Sequence, residues 1–439
     1  MRPRQGRWAV ALITAIIGSV GAWSAALGAS GGYEVWLIDQ SNTRPDGGGT
    51  LYIHDGSMVK GNGPARPEVI DLGGDAHALC LAQTGSAPVR PHMVEFDAHD
   101  RYAIVAYVAT GHVLFIEAAT RTPVTCIDVG LQAHAAFPAP DGSYVVVANQ
   151  NGKLLQRIST DFETGTFTLD GTATLDLANG LTPSGALRQD PVLRPDNAPV
   201  CPIVTADSAL TFVTLRGGGL FVVDSTATPM TIVAEYGRAT VRPNGCGGLE
   251  SNGKLYLTSG GGTAATPYAS DLYVCDLSAY TAPASTVLPP DEPAPDVIWR
   301  TVQPAVADAH GAVLTRDDRY LWVGDRARNS ATVVDTATDE VVGEVSLTGR
   351  ASDDPAPDLF DISPAGDRIY AALRGPNPLT GNAPAVGNAV GATPGLAVIR
   401  VTEGGRSGVL QAVIPVSNVD ANGVQRADPH AVKVRRTGG

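Results

Sequence analysis

Histidines and cysteines recur in this sequence at a fixed distance from an aromatic residue that opens a short apolar run. These pairs, each ten residues apart, are His92 with Tyr102, His134 with Tyr144, Cys246 with Tyr256 and His310 with Tyr320. Neutral imidazole and thiolate are common protein ligands for zinc, copper and iron. Such residues can share a metal only if the fold brings distant parts of the chain to one place.

The runs that follow these aromatics have the composition of β-strands. Tyr144-Val-Val-Val and Tyr320-Leu-Trp-Val are β-branched and aromatic, and the chain's 50 Gly and 32 Pro favour many short strands joined by turns. We find no helical apolar period after the first thirty residues, which predicts an all-β protein. A repeat every roughly 40 to 65 residues is typical of a β-propeller. Six blades are predicted, with inner strands beginning near His92, His134, Cys201, Cys246, His310 and Phe360.

A seventh blade is predicted from the two ends of the chain. His430-Ala-Val-Lys-Val near the C-terminus has the pattern of an inner strand with nothing after it. Tyr33-Glu-Val-Trp-Leu-Ile and Thr50-Leu-Tyr-Ile have the pattern of middle strands with no inner strand before them. Pairing them would remove the exposed edges of an open ring. We therefore predict a seven-bladed propeller closed by its C-terminal strand.

The N-terminus has the features of a secretory signal peptide. A basic start is followed by an apolar run from Trp8 to Leu27, and Ala26-Leu27-Gly28-Ala29 supplies the small residues of a cleavage site. We predict a signal peptide at residues 1–29, a single propeller domain at 30–439 and a periplasmic or secreted location. The alternative is an uncleaved anchor, since the run is long enough to span a bilayer. No later segment is expected to cross a membrane.

The net charge of the chain indicates which classes of partner it can bind. The chain carries a formal net charge of −13, and loss of Arg2, Arg4 and Arg7 with the signal peptide would make it more negative still. Because nucleic-acid binding depends on basic groups facing the phosphates, nucleic acid is excluded as a partner. We expect a monomer that binds a small molecule or a protein at the channel mouth.

Five cysteines in an exported chain favour disulfides. Cys80 and Cys126 flank one predicted blade, and Cys201 and Cys246 begin two neighbouring blades, so these are the two predicted pairs. Cys275 is left over as a small buried hydrophobe. The sequence leaves open whether Cys201 and Cys246 pair with each other or join the histidines as metal ligands.

Two segments resemble a known family. Ala139-Pro-Asp-Gly142 with Tyr144-Val-Val-Val-Ala-Asn149, and Ala331-Thr-Val-Val-Asp-Thr-Ala-Thr338, resemble the repeats of YVTN or YncE-like propellers, relatives of the lactonase-type propellers. The resemblance implies a seven-bladed fold and often an exported location. It implies no catalytic residue, because members of the group act on very different ligands. The long Pro- and Gly-rich insertions at 180–197, 282–297 and 376–394 depart from the pattern.

The predicted register places a candidate metal site at the channel mouth. His430, His92 and His134 would lie on consecutive blades with His310 across the channel, and these four could hold copper, zinc or iron. Carboxylates could join them, since Asp308, Asp358 and Asp428 lie close to blade starts. The alternatives are a structural role, with each imidazole bridging the backbones of adjacent blades, and acid/base catalysis.

A second candidate site consists of arginines on loops of the same face. Arg216, Arg326 and Arg374 each follow a predicted second strand, and a guanidinium beside glycine suits carboxylate or phosphate. The alternative is that they form interblade salt bridges. No His-Glu-x-x-His helix or Cys-x-x-Cys pair is present.

These features favour an exported propeller that binds a small ligand or a protein at its channel mouth, with a possible histidine-bound metal. The alternative function is a metalloenzyme, either an oxidoreductase or a lactonase-type hydrolase, that uses His92, His134, His310 and His430.

Overall fold

The computed structural model describes residues 32–59, 66–260, 270–301, 307–381 and 389–438. In these residues the strands form seven four-stranded antiparallel sheets, the blades of a propeller, and residues 31–439 form one compact unit. The predicted signal peptide, 1–29, lies outside the described residues. No helix in the described ranges is long and apolar enough to cross a membrane.

The strands alternate up and down within each blade. Blade 1 contains β1 (Tyr33–Asp39), β2 (Thr50–Asp55) and β3 (Glu68–Asp71). Blade 2 contains β4 (Pro91–Phe96), β5 (Tyr102–Tyr107), β6 (His112–Glu117) and β7 (Thr122–Asp128), and blade 3 contains β8 (Ala133–Pro138), β9 (Tyr144–Asn149), β10 (Leu154–Asp161) and β11 (Thr166–Asp176). Blade 4 contains β12 (Pro199–Val204), β13 (Leu210–Leu215), β14 (Leu220–Asp224) and β15 (Thr231–Tyr236).

The remaining blades follow the same order. Blade 5 contains β16 (Gly248–Ser251), β17 (Lys254–Gly260), β18 (Ser270–Asp276) and β19 (Asp296–Arg300). Blade 6 contains β20 (Ala309–Leu314), β21 (Tyr320–Asp325), β22 (Ser330–Asp335) and β23 (Glu340–Ser346), and blade 7 contains β24 (Pro357–Ile362), β25 (Arg368–Leu373), β26 (Gly395–Thr402) and β27 (Ser407–Pro415). The last strand, β28 (Pro429–Arg436), is the inner strand of blade 1.

The second strand of each blade is buried on both faces because a blade packs between two neighbours. All six residues of β9 are buried, which explains why the sequence is a continuous apolar run rather than an alternating one. Outer strands such as β23 are mostly exposed or half-buried. The core therefore lies between the blades. Trp322 of β21 is an example: it packs against residues of blade 7 and donates its indole N–H to the Gly405 carbonyl at 2.7 Å.

The predicted closure of the ring is confirmed. Strand β28 pairs with β1 from Tyr33 opposite Arg436 to Asp39 opposite Pro429. Two further bonds hold the ends at the channel mouth: the Gln40 amide donates to the Asp428 carbonyl at 3.2 Å, and the Asp428 amide donates to Asp39 Oδ1 at 2.8 Å. The first and last strands therefore share one sheet.

Asp39 makes this closure dependent on pH. It is fully buried, and burial raises its pKa to about 6 despite the hydrogen bonds that it accepts. Because the folded pKa lies above the unfolded one, this carboxyl stabilises the fold below pH 4, and the contribution is lost as pH rises through 6. Between pH 4 and pH 7.5, the unfolding free energy of the wild type should fall by about 2 kcal/mol relative to that of Asp39→Asn, as measured by urea denaturation.

A matched control for this experiment is Asp353→Asn, since Asp353 is exposed in the segment before β24. The control should show the pH dependence of the wild type. An Asp39→Asn protein with an unchanged pH profile would contradict the prediction.

One helix was not predicted. Helix α1 (Asp75–Thr84) follows β3 and buries only Ala76, His77 and Cys80, so its sequence lacks a continuous apolar stripe. A disulfide between Cys80 and Cys126 fixes this helix against β7. The all-β prediction holds for the propeller but missed this element.

Both predicted disulfides are present. Cys80 is joined to Cys126, and Cys201 is joined to Cys246, which links the region of β12 to the segment before β16. Cys275 lies buried in β18 with its thiol in the reduced form. Two disulfides indicate a chain that folds in an oxidising compartment.

Candidate metal centre at the channel mouth

Five inner strands place a histidine or aspartate at their second residue. These residues are His92 of β4, His134 of β8, His310 of β20, Asp358 of β24 and His430 of β28. Each lies where the pairing with the neighbouring strand shifts register. An extra residue at such a shift is released from the regular alternation, and its side chain is redirected. The shifts at the channel mouth therefore explain how these residues come to face one another.

The four histidines form a continuous row. The ring centroids of His134 and His92 are 4.8 Å apart, those of His92 and His430 are 3.5 Å apart in a stacked pair, and those of His430 and His310 are 5.4 Å apart. Residues from four different blades thus meet through the fold alone.

Within this row the ligand atoms separate into two groups. Among the described residues, His310, Asp358 and His430 offer ligand atoms within 4.8 Å of one another, and so do His134, Cys201 and Cys246. The sequence suggested one set of four histidines. The structure places these histidines in two groups, and His92 stands between them.

The protonation of His430 can be deduced from its partner. Its Nδ1 lies 2.9 Å from the backbone carbonyl of His92, and because a carbonyl only accepts, Nδ1 carries the proton. In the neutral ring, Nε2 then bears a lone pair, and it lies 3.8 Å from Asp358 Oδ2. Metal-binding histidines commonly donate their other N–H to a carbonyl in this way.

His310 approaches the same carboxylate from the other side. Its Nε2 is 3.2 Å from Asp358 Oδ1, but neither atom makes an aligned hydrogen bond to any described residue. Two imidazole nitrogens and a carboxylate oxygen therefore converge. His310 is the member of the group that solvent reaches, with 11% of its side chain exposed.

His92 is oriented by Gln40. Its Nδ1 donates to Gln40 Oε1 at 2.8 Å, and the Gln40 amide nitrogen in turn donates to Asp428 Oδ2 at 3.0 Å. The Nε2 atom of His92 is buried and has no hydrogen-bond partner in the described part of the chain. Gln40 has no repeat signature in the sequence, and only the closure of blade 1 brings it to the channel mouth.

Two of the three predicted arginines form a buried ion network behind the histidines. Arg374 donates from Nη1 to Asp358 Oδ2 at 2.5 Å and from Nε to Asp428 Oδ1 at 2.6 Å, and it is fully buried. Arg326 pairs with Asp308 at 3.0 Å and lies 3.5 Å from Asp358 Oδ1. Their guanidinium groups thus orient the carboxylate that faces the histidines.

Arg216 lies apart from this network. It donates from Nε to Asp196 Oδ2 at 2.6 Å, and 39% of its side chain is exposed. Of the three predicted ligand-binding arginines, it is the one whose side chain solvent reaches most readily.

The electrostatics keep the imidazoles neutral. Burial lowers the pKa of His430 to about 3 and that of His134 to about 4, and it lowers the pKa of His92 and His310 well below the usual value. Burial alone would raise the pKa of Asp358, but the positive charges of Arg326 and Arg374 beside it help to hold that pKa below its usual range. The site therefore combines neutral nitrogen donors with an ionised carboxylate.

The structure corrects the predicted alignment of blade 7. Phe360 was taken as the counterpart of the histidines, but Phe360 pairs opposite Ala371 as Ala312 of blade 6 pairs opposite Val323. Asp358 is thus the counterpart of His310. In the second strand of blade 7, Arg368 occupies the position that Tyr320 has in blade 6.

The channel continues beyond the histidines along the inner strands. A cavity of 240 Å³ is lined by Met93, Phe137, Cys246 and Leu359, among others. Glu95 and Lys433 also line it and form an ion pair at 2.7 Å. The histidine end of the channel is therefore polar, and this part of the channel combines an apolar lining with one ion pair.

Comparisons with known proteins identify the fold. No family model and no curated protein matches the chain. Three solved structures align with it. Each alignment covers 92% of this chain and 99% of the chain in the solved structure. The three structures are a protein from Lactobacillus plantarum (TM-score 0.57, 12% identity), the periplasmic gluconolactonase of Pseudomonas aeruginosa (0.54, 14%) and a putative 6-phosphogluconolactonase from Bacteroides uniformis (0.52, 14%).

The chain is a seven-bladed propeller with lactonase-like structural neighbours. At these identities the similarity shows the architecture alone, and function must be argued from the site.

Proposed function

We propose that this protein is an exported propeller that binds one transition-metal ion at its channel mouth through His310, His430 and Asp358. The ion would present open coordination positions to a small ligand or a protein partner. The observation that carries the proposal is that His430 Nε2 lies 3.8 Å from Asp358 Oδ2 while His430 Nδ1 donates to the His92 carbonyl, an arrangement that in the neutral ring turns a lone pair toward the carboxylate. A cation in that position would relieve this repulsion.

The donor set supports the proposal. Two neutral imidazoles and one carboxylate form a common set for zinc and for iron(II), and both ions keep positions open for water or a ligand. The groups behind the donors fit as well: the His92 carbonyl fixes His430, and Arg374 fixes Asp358. Such outer partners orient ligands and raise their affinity for the metal.

The local charge also favours a cation. The ion network contains three carboxylates, those of Asp308, Asp358 and Asp428, and two guanidinium groups. With the histidines neutral, the network has an excess of negative charge. A buried excess of this kind is costly unless a cation compensates it.

The test uses the mature chain from Ser30, kept oxidised, made metal-free and titrated with zinc, iron(II) and copper(II). We expect close to one bound ion per chain by elemental mass spectrometry. The double variant His310→Ala/His430→Ala should bind at least about a hundredfold more weakly, because two of three ligands are removed.

The matched control is His54→Ala. His54 is also a buried histidine, but it lies in β2 opposite Val35, at the end of blade 1 remote from Asp39 and the channel mouth. This variant should bind metal as the wild type does. Metal-free wild type that takes up no ion, or a double variant of unchanged affinity, would refute the proposal.

A second candidate function is metal-assisted hydrolysis of a lactone. The unpartnered His92 Nε2 favours it, because a buried base stacked on His430 is placed to accept a proton from an attacking water. The named activities of the structural neighbours make lactones the first substrates to assay. Hydrolysis that requires both metal and His92 would decide for this function, and metal binding without hydrolysis would decide for a binding role.

The export of the chain and its relation to the YVTN propellers belong to the same proposal. The signal-peptide pattern and the two disulfides support export. The Ala139 to Asn149 and Ala331 to Thr338 segments support the relation.

A further inference from the structure

The second group of ligand atoms, that of His134, Cys201 and Cys246, lies on the opposite side of His92 from the first. Cys201 lies in β12 where its pairing with β13 shifts register between Pro199 and Pro202, as the histidines do in their own strands. In the oxidised chain the two sulfurs are joined to each other. Both cysteines are almost completely buried.

His134 has a buried ring nitrogen that forms no hydrogen bond to a described residue. This nitrogen is Nδ1. One ring nitrogen of His134 and the two Sγ atoms lie within 4.8 Å of one another. A buried imidazole nitrogen without a partner is costly, and a third partner would satisfy it.

We propose that reduction of the Cys201–Cys246 disulfide creates a second metal site, with Cys201, Cys246 and His134 as ligands for zinc or copper(I). The site goes beyond the proposed function because it uses none of the residues of the first centre and exists in one redox state only. Two thiolates and an imidazole are soft and borderline donors, which suit these ions. Three protein ligands leave one position open.

The redox step balances with a dithiol as reductant. A thiolate of the dithiol attacks one sulfur of the disulfide, forms a mixed disulfide with it and releases the other cysteine. The second thiol of the dithiol then attacks the dithiol sulfur of this mixed disulfide and releases the remaining cysteine, so that two electrons and two protons pass to the protein sulfurs and the dithiol becomes a disulfide. Metal binding then releases the two thiol protons to solvent. A small dithiol has a route to the bond because Cys246 lines the 240 Å³ channel cavity.

The other disulfide serves as an internal comparison. Cys80 and Cys126 join helix α1 to β7, away from the inner strands, and among the described residues no histidine or carboxylate completes a metal-binding group with them. Reduction should therefore create a metal site at one disulfide and not at the other.

The experiment compares oxidised protein with protein reduced by dithiothreitol and desalted under anaerobic conditions. Cobalt(II) serves as the probe, because thiolate coordination adds an intense charge-transfer band that nitrogen and oxygen ligands do not produce. We expect one cobalt and no such band in the oxidised protein, and a second cobalt with the band after reduction. Circular dichroism establishes that the reduced protein is folded.

Variants locate the site. Cys201→Ser/Cys246→Ser should lose the band and the second ion, whereas Cys80→Ser/Cys126→Ser should keep both. His134→Ala should weaken the second ion at least about tenfold. His310→Ala/His430→Ala should keep the thiolate band, so that failure of the first centre and failure of this site are distinguishable.

A second measurement does not require any variant to fold. Zinc added to the reduced wild type should slow re-formation of the Cys201–Cys246 disulfide at least about tenfold and leave that of Cys80–Cys126 unchanged, as followed by peptide mapping. A reduced, folded protein that shows no thiolate band, or zinc that slows both disulfides equally, would overturn the inference.

Discussion

A chain that ends at Asp428 is expected to lose cooperative folding. The deletion removes β28, the inner strand of blade 1, and leaves β1 with an unpaired edge facing the channel. It also removes Val432 from the cluster that packs blade 1 against blade 7, and His430 from the metal centre. Since domains are stable by only about 5 to 15 kcal/mol, loss of an entire inner strand should exceed what the ring can tolerate.

The measurement is thermal and urea unfolding followed by circular dichroism. The control is a chain that ends at Thr437, which keeps β28 and the bond from the Thr437 amide to the Gly32 carbonyl. The control should unfold as the full chain does. A chain ending at Asp428 with a wild-type transition would show that the ring does not depend on this closure.

The largest effect of a single substitution is expected at Arg374. Replacing it with Leu removes the only cation that contacts both Asp358 and Asp428 in the described structure and leaves two fully buried carboxylates without it. Breaking a buried ion network in this way costs about 3 to 5 kcal/mol. We expect a loss of that size in the unfolding free energy, measured by urea denaturation at pH 7.

Two comparisons interpret the result. Arg319→Leu removes an arginine whose side chain is 51% exposed beside Asp335, and it should cost less than about 1 kcal/mol. The double variant Arg374→Leu/Asp428→Leu should recover part of the lost unfolding free energy, because the unpaired carboxylate of Asp428 is removed together with Arg374. If Arg374→Leu were as mild as Arg319→Leu, the buried network would not stabilise the fold.

The predictions of the blades, of the ring closure and of the two disulfides, which depended on local pattern, were confirmed. The ten-residue spacing, the turns and the apolar runs identified seven blades, and the unmatched strands at the two ends identified the closure. The two disulfides followed from the position of cysteines relative to blade starts. Helix α1 was missed because it buries few apolar residues and is held by a covalent bond rather than by an apolar stripe.

The sequence by itself also determined which histidines would lie near the channel, because each occupies the same place in its repeat. It did not determine which of them would form a site together. Register shifts of one or two residues redirect the inner-strand side chains, and no local pattern records their size. For that reason Asp358 replaced Phe360 as the blade 7 residue at the mouth.

The partners of these residues were likewise decided by tertiary structure. Gln40 reaches His92 only because the ring closes, and Arg374 is buried because its carboxylate partners come from β24 and from the residue before β28. Side-chain identity, which the sequence gives, sets what chemistry is available. Which side chains lie close together, and which of them carry protons, depends on strands that are distant in sequence. The tertiary structure therefore decided that His310 and His430 lie beside a carboxylate, whereas His134 lies beside two cysteines.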